Sequence, residues 1–352
     1  MALGRFRPLL VRAVDRLTRD AVAVTVETPD GWDWAPGQHL TFRRRFDGAE
    51  LRRSYSIAAA PGEALRVGIK RVEGGAFSSW ANEALRPGDR IEATAPEGRF
   101  WDGAGDPGEH VLGVAAGSGI TPVLGILRHV LGGDPAARAT LVYGNRRAST
   151  IMFREEIEDL KSRHLGRFSV VHVLSEGHEI PLFAGRITAE KCAALFGAWI
   201  DAGTVDRAFV CGPDGMMEAA AAALAAHGMA PGRIRSERFA GGQPGRVATG
   251  ARPVARTAEA VPLRVTLDGA TVALALAPGE TVLEAALAAG LDAPWSCRAG
   301  VCSTCRCRVT EGEVEMAQNH AIEDDEAARG FVLSCQSRAV RGPVAVDYDV
   351  GH

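Results

Sequence analysis

Ser296-Cys297-Arg298-Ala299-Gly300-Val301-Cys302-Ser303-Thr304-Cys305 decides what the C-terminal part of this chain must build. Its three thiols stand as C-x4-C-x2-C, and a fourth, Cys335, follows in Leu333-Ser334-Cys335-Gln336. Thiols this close converge only if the loop between them turns tightly, and Gly300 supplies the backbone freedom for that turn. A set of this kind selects a thiophilic metal. A zinc site spaces its ligands as two C-x2-C-like pairs, and only Cys302 with Cys305 fits that rule. A disulfide framework belongs to an oxidising compartment, whereas Met1-Ala2-Leu3-Gly4-Arg5-Phe6-Arg7 carries positive charge with no apolar signal core behind it. Cys307, two residues past Cys305, is read as a non-ligand. Cys192 lies in an Ala/Leu-rich helical stretch and is read as a small buried residue.

The spacing is that of plant-type [2Fe–2S] ferredoxins. Cys297, Cys302, Cys305 and Cys335 are therefore the expected cluster ligands, with zinc or structural thiols as the alternatives. A cluster of this type moves one electron at a time, so the rest of the chain should contain the source of those electrons.

The chain has 352 residues and a formal charge of -3. That length exceeds one hydrophobic core and fits two or three domains. The near-neutral balance offers no polybasic field for nucleic acid or lipid, and no apolar run approaches the ~18 residues needed to span a bilayer. The expectation is a cytoplasmic protein with no nucleic-acid or membrane partner.

Composition divides the chain. Residues 1–105 carry short β-prone runs (Val22–Thr28, His39–Arg43, Tyr55–Ala58, Leu65–Val72, Arg90–Thr94) punctuated by turn signals, which predicts an antiparallel β-barrel or sandwich. Across 106–240, compact apolar strands (His110–Ala115, Ala139–Tyr143, Phe168–Val173, Arg207–Cys211) alternate with helical segments (Pro122–Leu131, Phe153–Leu160, Asp214–His227). That alternation predicts a parallel sheet with crossover helices, an α/β nucleotide domain. Residues 241–260 recur in Gly and Pro without apolar period and read as a linker. From 261 to 352, an Asp268-Gly269 turn signals a β-hairpin, and Thr281–Gly290 reads as a helix closed by Gly. These surround the cysteine loop in a small α+β, β-grasp-like domain.

Two glycine-containing segments suit phosphates. Gly74-Gly75-Ala76-Phe77-Ser78-Ser79 precedes a helix, and backbone N–H groups at such a start can hold a pyrophosphate; the alternative is a plain N-cap by Ser78 or Ser79. Gly117-Ser118-Gly119-Ile120-Thr121-Pro122 runs from a strand into a helix, and Gly117 and Gly119 let a phosphate approach the backbone. Arg53-Ser54-Tyr55-Ser56 sits on a barrel strand, where Arg53 and Tyr55 share one face and Ser54 and Ser56 the other. Tyr143-Gly144-Asn145-Arg146-Arg147 closes the second strand of the nucleotide domain. An acid at such a strand end bonds a ribose 2′-OH, whereas Arg accommodates a 2′-phosphate; two arginines and no acid stand here, which favours NADPH over NADH.

R-x-Y-S on a barrel, then G-G-x-F-S, then a nucleotide domain resembles the ferredoxin–NADP reductase-type flavoproteins. The resemblance implies FAD rather than FMN. It implies that Arg53 pairs with flavin phosphate, that Tyr55 packs on the isoalloxazine ring and that the Ser56 hydroxyl approaches flavin N5. Ser54 and Gly74 belong to the same cofactor-binding set, and Gly75, Phe77 and Ser78 hold the pyrophosphate. It implies that Gly117, Ser118 and Gly119 hold the nicotinamide nucleotide, with Thr121 near the flavin–nicotinamide contact; the strand-end rule, not the resemblance, is what puts Arg146 on a 2′-phosphate. Cys211 with Gly212 neighbours the nicotinamide. Glu237 and Phe239 match the family's closing segment, whose aromatic covers the flavin; Ser56, Cys211, Glu237 and Phe239 form the implied catalytic set.

The whole chain resembles the reductase components of multicomponent oxygenases. That resemblance implies electron transfer from NADPH through FAD and [2Fe–2S] to a di-iron oxygenase, which must be a separate chain because no Glu-x-x-His pairs occur here. Two rivals remain: an NADH-dependent reductase serving another oxygenase or a hybrid-cluster protein, and a redox-sensing flavin/iron–sulfur module. The acidic run Ile322-Glu323-Asp324-Asp325-Glu326 is either a docking patch or a solvated helix start.

Overall fold

The computed structural model describes residues 5–103, 105–239 and 260–350. The expected linker at 241–260 falls, apart from its last residue, outside the described residues. The chain divides into two compact units. One comprises residues 5–44 and 55–239, the other residues 45–54 together with the described residues from 260 onward.

The N-terminal strands are β1 (Arg7–Thr18), β2 (Ala21–Val26), β3 (His39–Phe46), β4 (Ala49–Ser56), β5 (Arg66–Lys70) and, after helix α1 (Ala76–Glu83), β6 (Arg90–Ala93). They form one sheet in the order β4-β3-β6-β1-β2-β5. An antiparallel Ile57–Val67 bridge just beyond β4 joins the two ends of that order, closing the barrel and removing its free edges. β4 starts earlier than the expected Tyr55. Asp47 and Gly48 both adopt positive φ (48° and 80°), the geometry of a two-residue hairpin turn, so pairing begins at Ala49.

The nucleotide domain alternates β7 (His110–Ala116), α2 (Ile120–Gly133), β8 (Arg138–Asn145), α3 (Arg154–Arg163), β9 (Phe168–Leu174), α4 (Ala189–Ala198), β10 (Arg207–Cys211), α5 (Asp214–Ala226) and β11 (Ile234–Glu237). The sheet is parallel throughout, in the order β11-β10-β7-β8-β9. Apolar residues of α2 and α3 (Val123, Leu127, Ile157, Leu160) cover one face; those of α4 and α5 (Cys192, Leu195, Met217, Leu224) cover the other. Strand order reverses between β7 and β10, the crevice where open α/β sheets receive ligands.

The second unit carries β12 (Val261–Leu267), β13 (Ala270–Leu276), α6 (Val282–Ala288), β14 (Arg306–Met316), α7 (Asp324–Ala328), β15 (Phe331–Leu333) and β16 (Ser337–Asp347). Its sheet order is β13-β12-β16-β14-β15 with β12 and β16 parallel. Thr281 caps α6 in a reciprocal box with Glu284, a contribution of about 1 kcal/mol. Among the described residues no helix is long and apolar enough to cross a membrane.

Candidate flavin, nicotinamide and iron–sulfur sites

Parallel register lines up three strand ends at the crevice: Ala115 on β7 is level with Cys211 on β10, which is level with Glu237 on β11. Ser56, at the end of β4 and 4% exposed, donates its hydroxyl to Glu237 Oε2 at 3.3 Å. Glu237 is half-buried. Burial raises its carboxyl to about 8, against a smaller opposing effect of the Ser56 hydrogen bond. The Cys211 thiol is fully buried and pushed well up, first by burial and then by the neighbouring Glu237. The crevice therefore carries two uncharged acids at neutral pH. Phe239, two residues past Glu237, is 40% exposed.

The turn Gly117–Gly119 leads into α2 beside them. A Cβ on Gly119 would collide with the Cys211 carbonyl oxygen, so only glycine lets this turn cross the end of β10. No side chain caps the N-terminus of α2, and Tyr143 fixes the turn from below by donating to the Gly117 carbonyl at 2.9 Å. Thr121, buried, closes back onto the Ser118 carbonyl at 2.9 Å. Gly212 abuts Met216. The Ile120 N–H is taken up by the Gly117 and Ser118 carbonyls, so it is the Cβ-free Gly117–Gly119 turn at the helix start that suits a dinucleotide pyrophosphate. Lys70, on β5, also borders Gly117, a neighbour that strand pairing creates and local sequence does not announce.

On the barrel, Tyr55 packs against Phe42 and Phe77, with ring centroids 6.1 and 5.6 Å away. The N-cap of α1 is Gly75, without a side-chain cap. Ser78 is not that cap: its hydroxyl accepts from the Val72 N–H at 3.1 Å and donates to the Gly75 carbonyl at 3.2 Å. The Gly74–Gly75 turn is thereby held while the first N–H groups of α1 are left without a side-chain acceptor, which fits a flavin pyrophosphate. Arg53 and Ser54 belong to the second unit. Arg53 donates to the Arg52 carbonyl at 2.7 Å, and the Ser54 hydroxyl is 2.8 Å from that of Ser296.

Ser296 precedes the first thiol of the cysteine loop. Arg298, Gly300 and Ser303 all take positive φ (53°, 74° and 50°), and a Cβ on Gly300 would come within 2.9 Å of the Gln318 carbonyl oxygen. The thiols neighbour one another as two pairs, Cys297 with Cys302 and Cys305 with Cys335; Cys302 Sγ accepts from the Cys297 N–H at 3.4 Å and Cys297 Sγ from the Ala299 N–H at 3.3 Å. Ser334 fixes the second pair by donating its backbone N–H and its hydroxyl to the Cys305 carbonyl, at 3.1 and 2.9 Å. Cys297 is drawn down to about 6, first by Cys302 and then by the N–H groups of Ala299, Val301 and Cys302. Cys335 is likewise lowered, by Cys305 and by Gln336. One member of each pair thus favours the thiolate, the metal-binding form. The four-cysteine set and its spacing are what a [2Fe–2S] centre requires, whereas among the described residues no three such side chains are gathered about one metal position. Trp295, 4% exposed, has two guanidiniums over its ring, Arg52 at 4.6 Å and Arg298 at 4.2 Å from the centroid. Arg52 also pairs with Glu50 and Asp292 at 2.8 and 3.1 Å.

Cys307 is 2% exposed in the core of the second unit, and burial raises its thiol strongly. Cys192 is also buried, its thiol pushed up to about 11. In the acidic run, Glu326 is buried and bonded to Arg306 at 3.0 Å, while Asp324 and Asp325 are exposed in the first turn of α7.

At the end of β8 the structure adds an acid. β9 runs beside β8, so Ser175 and Glu176 continue the ladder against Asn145 and Arg146 (3.0 and 2.9 Å). Glu176 then receives Arg146 on one carboxylate oxygen at 2.5 Å and Arg147 on the other at 2.6 Å. The two arginines do not face solvent alone.

Residues 9–101 match the oxidoreductase FAD-binding domain, 114–222 the oxidoreductase NAD-binding domain and 265–340 the 2Fe-2S iron-sulfur cluster binding domain. The chain is 40% identical over 353 aligned residues (98% of each chain) to one of the subunits of 1,2-phenylacetyl-CoA epoxidase from Escherichia coli K12. It is 32% identical to the ferredoxin reductase component of 3-ketosteroid-9-alpha-monooxygenase from Rhodococcus rhodochrous, over 97% of this chain and 96% of that one. Phthalate dioxygenase reductase shares the fold, with a TM-score of 0.60 at 21% identity, covering 97% of this chain and 98% of that chain.

Proposed function

The chain belongs to the FAD-, NAD- and [2Fe–2S]-binding reductase components of oxygenases, and from that premise we propose that it draws electrons from NADPH and delivers them to a di-iron oxygenase acting on phenylacetyl-CoA. The observation that carries this reading is the 40% identity, along essentially the full length of both chains, with a subunit of the phenylacetyl-CoA epoxidase.

When bound, a flavin accepts a hydride from the nicotinamide and gives up its two electrons singly, as an iron–sulfur cluster needs. The chain's own residues do the rest. Gly74, Gly75, Phe77 and Ser78, with Tyr55, bind the FAD; Gly117, Ser118, Gly119, Thr121 and Gly212 bind the nicotinamide nucleotide, with Arg146 at the 2′-phosphate. Ser56 and Glu237 form a proton-bearing pair: the Glu237 carboxyl keeps its proton at neutral pH because burial raises it to about 8. Cys211 presents a neutral thiol to the nicotinamide and Phe239 covers the ring position. No nucleophile is required; orientation and exclusion of water are the protein's contribution. Cys297, Cys302, Cys305 and Cys335 bind the cluster.

The test is reconstitution. Full-length holoprotein, NADPH and a purified di-iron oxygenase should convert phenylacetyl-CoA in step with NADPH oxidised. Electron delivery to another oxygenase and none to this one would overturn the substrate assignment. The ion pairs at Glu176 favour a second reading, in which NADH also serves, because an acid at that strand end suits a free ribose hydroxyl.

A further inference from the structure

We infer that Glu176 is the residue that sets the choice between NADPH and NADH. The inference rests on the reading that the cleft at the ends of β8 and β9 receives the adenosine ribose of the nicotinamide nucleotide. That cleft has a volume of about 450 Å³ and is lined by Arg147, Ala148, Ser149, Leu174, Glu176 and Gly177.

Two nucleotide-binding chemistries meet in this cleft. A carboxylate at a strand end accepts hydrogen bonds from a ribose 2′-OH; arginine binds a 2′-phosphate. Here the segment just after β8 contributes two guanidiniums and the one just after β9 contributes one carboxylate, and the three groups are already joined: Arg146 Nε to Oε1 at 2.5 Å, Arg147 Nε to Oε2 at 2.6 Å. The Glu176 backbone is fixed by its N–H to the Arg146 carbonyl at 2.9 Å. The two arginines hold its carboxyl below the usual range, so it stays charged at neutral pH.

A 2′-phosphate must therefore displace Glu176 from one or both arginines, and it meets a like charge while doing so. A ribose diol meets no such obstacle and gains an acceptor. Glu176 thus acts in opposite directions on the two nucleotides, as an internal competitor against NADPH and a ligand for NADH. The side chains of Arg146 and Arg147 are 70% and 62% exposed and that of Glu176 37%, so the carboxylate has room to swing aside.

The experiment compares wild type, Glu176→Gln, Arg146→Ala and Arg147→Ala as full-length holoproteins. One readout is kcat/KM for NADPH and for NADH with ferricyanide as acceptor. The other is calorimetric affinity for 2′-AMP and 5′-AMP, which involves no turnover. Glu176→Gln should raise the NADPH/NADH ratio about tenfold, the scale expected when two exposed ion pairs are released, and should tighten 2′-AMP while leaving 5′-AMP unchanged or weaker. A ratio that moves less than twofold, or falls, overturns the inference. If the arginine variants weaken 2′-AMP while Glu176→Gln changes nothing, the role of Glu176 fails and the NADPH reading survives. If the arginine variants leave 2′-AMP affinity unchanged, the NADPH reading itself fails, and the inference with it.

Discussion

Replacing Glu326 with Gln should unfold the second unit at a far lower temperature than wild type, although the change is nearly isosteric. Glu326 and Arg306 are buried, with side chains 4% and 7% exposed and 3.0 Å apart. Arg306 also lies over Phe331, 3.6 Å from the ring centroid, and the second carboxylate oxygen of Glu326 accepts from the Glu323 N–H at 3.2 Å, closing the first turn of α7. Removing one charge leaves the other desolvated without its counterion, which costs about 3–5 kcal/mol. A domain's whole stability is roughly 5–15 kcal/mol, and for a unit of this size the loss corresponds to a shift on the order of 20 °C. Heating the full-length holoprotein while following its visible iron–sulfur circular dichroism reads this unit directly; flavin fluorescence reads the other. The double variant Arg306→Met/Glu326→Leu removes both charges and should recover most of the loss. If Glu326→Gln costs less than about 1 kcal/mol, or if the double variant is as unstable as the single one, the uncompensated charge is not what matters and packing on Phe331 must be.

Three other outcomes follow from the crevice and the thiol loop. Gly119→Ala forces a Cβ against the Cys211 carbonyl oxygen; KM for the nicotinamide nucleotide should rise by about tenfold or more with flavin content unchanged, and an unaltered KM would refute the close crossing. Glu237 has a native pKa of about 8 against a reference value of 4.5, so between those pH values the native state holds a proton that the unfolded state has lost. Its contribution to stability therefore falls as pH rises across that window and levels off above it, and ferricyanide reduction should decline above about pH 8 in wild type but not in Glu237→Gln. Cys302→Ser should abolish reduction of cytochrome c while sparing that of ferricyanide, as assayed by steady-state NADPH oxidation; loss of both would show that the two units do not function separately.

The thiol loop and the Gly117–Gly119 turn are legible in the sequence because each is a short-range constraint, a ligand spacing or a backbone conformation. The alternation that predicts the parallel sheet is legible for the same reason. β1 is not: its ladder to β2 shifts register between Val11 and Ala13 and again between Arg16 and Thr18, so no steady period of two marks it. Glu176 escapes a local reading because its relation to Arg146 exists only once β9 lies beside β8. The rule about strand-end acids points to the strand that carries the arginines, and the carboxylate arrives from the next one. Once the two strands are known to be parallel and adjacent, aligning Asn145 with Leu174 brings Glu176 level with the arginines. Ser54 illustrates the same limit, since its hydroxyl meets Ser296 across 242 positions of chain.

Residues 45–54 also bear on how such reductases can be recombined. They precede the nucleotide domain in the chain, yet fold with the cluster-bearing unit: Arg52 stacks on Trp295 and Ser54 meets Ser296, one position before Cys297. A chimera cut between residues 239 and 260 would transplant Trp295 and Ser296 without the partners they have here. The transferable module is thus discontinuous, and a graft that keeps these contacts must carry residues 45–54 along with the C-terminal sequence.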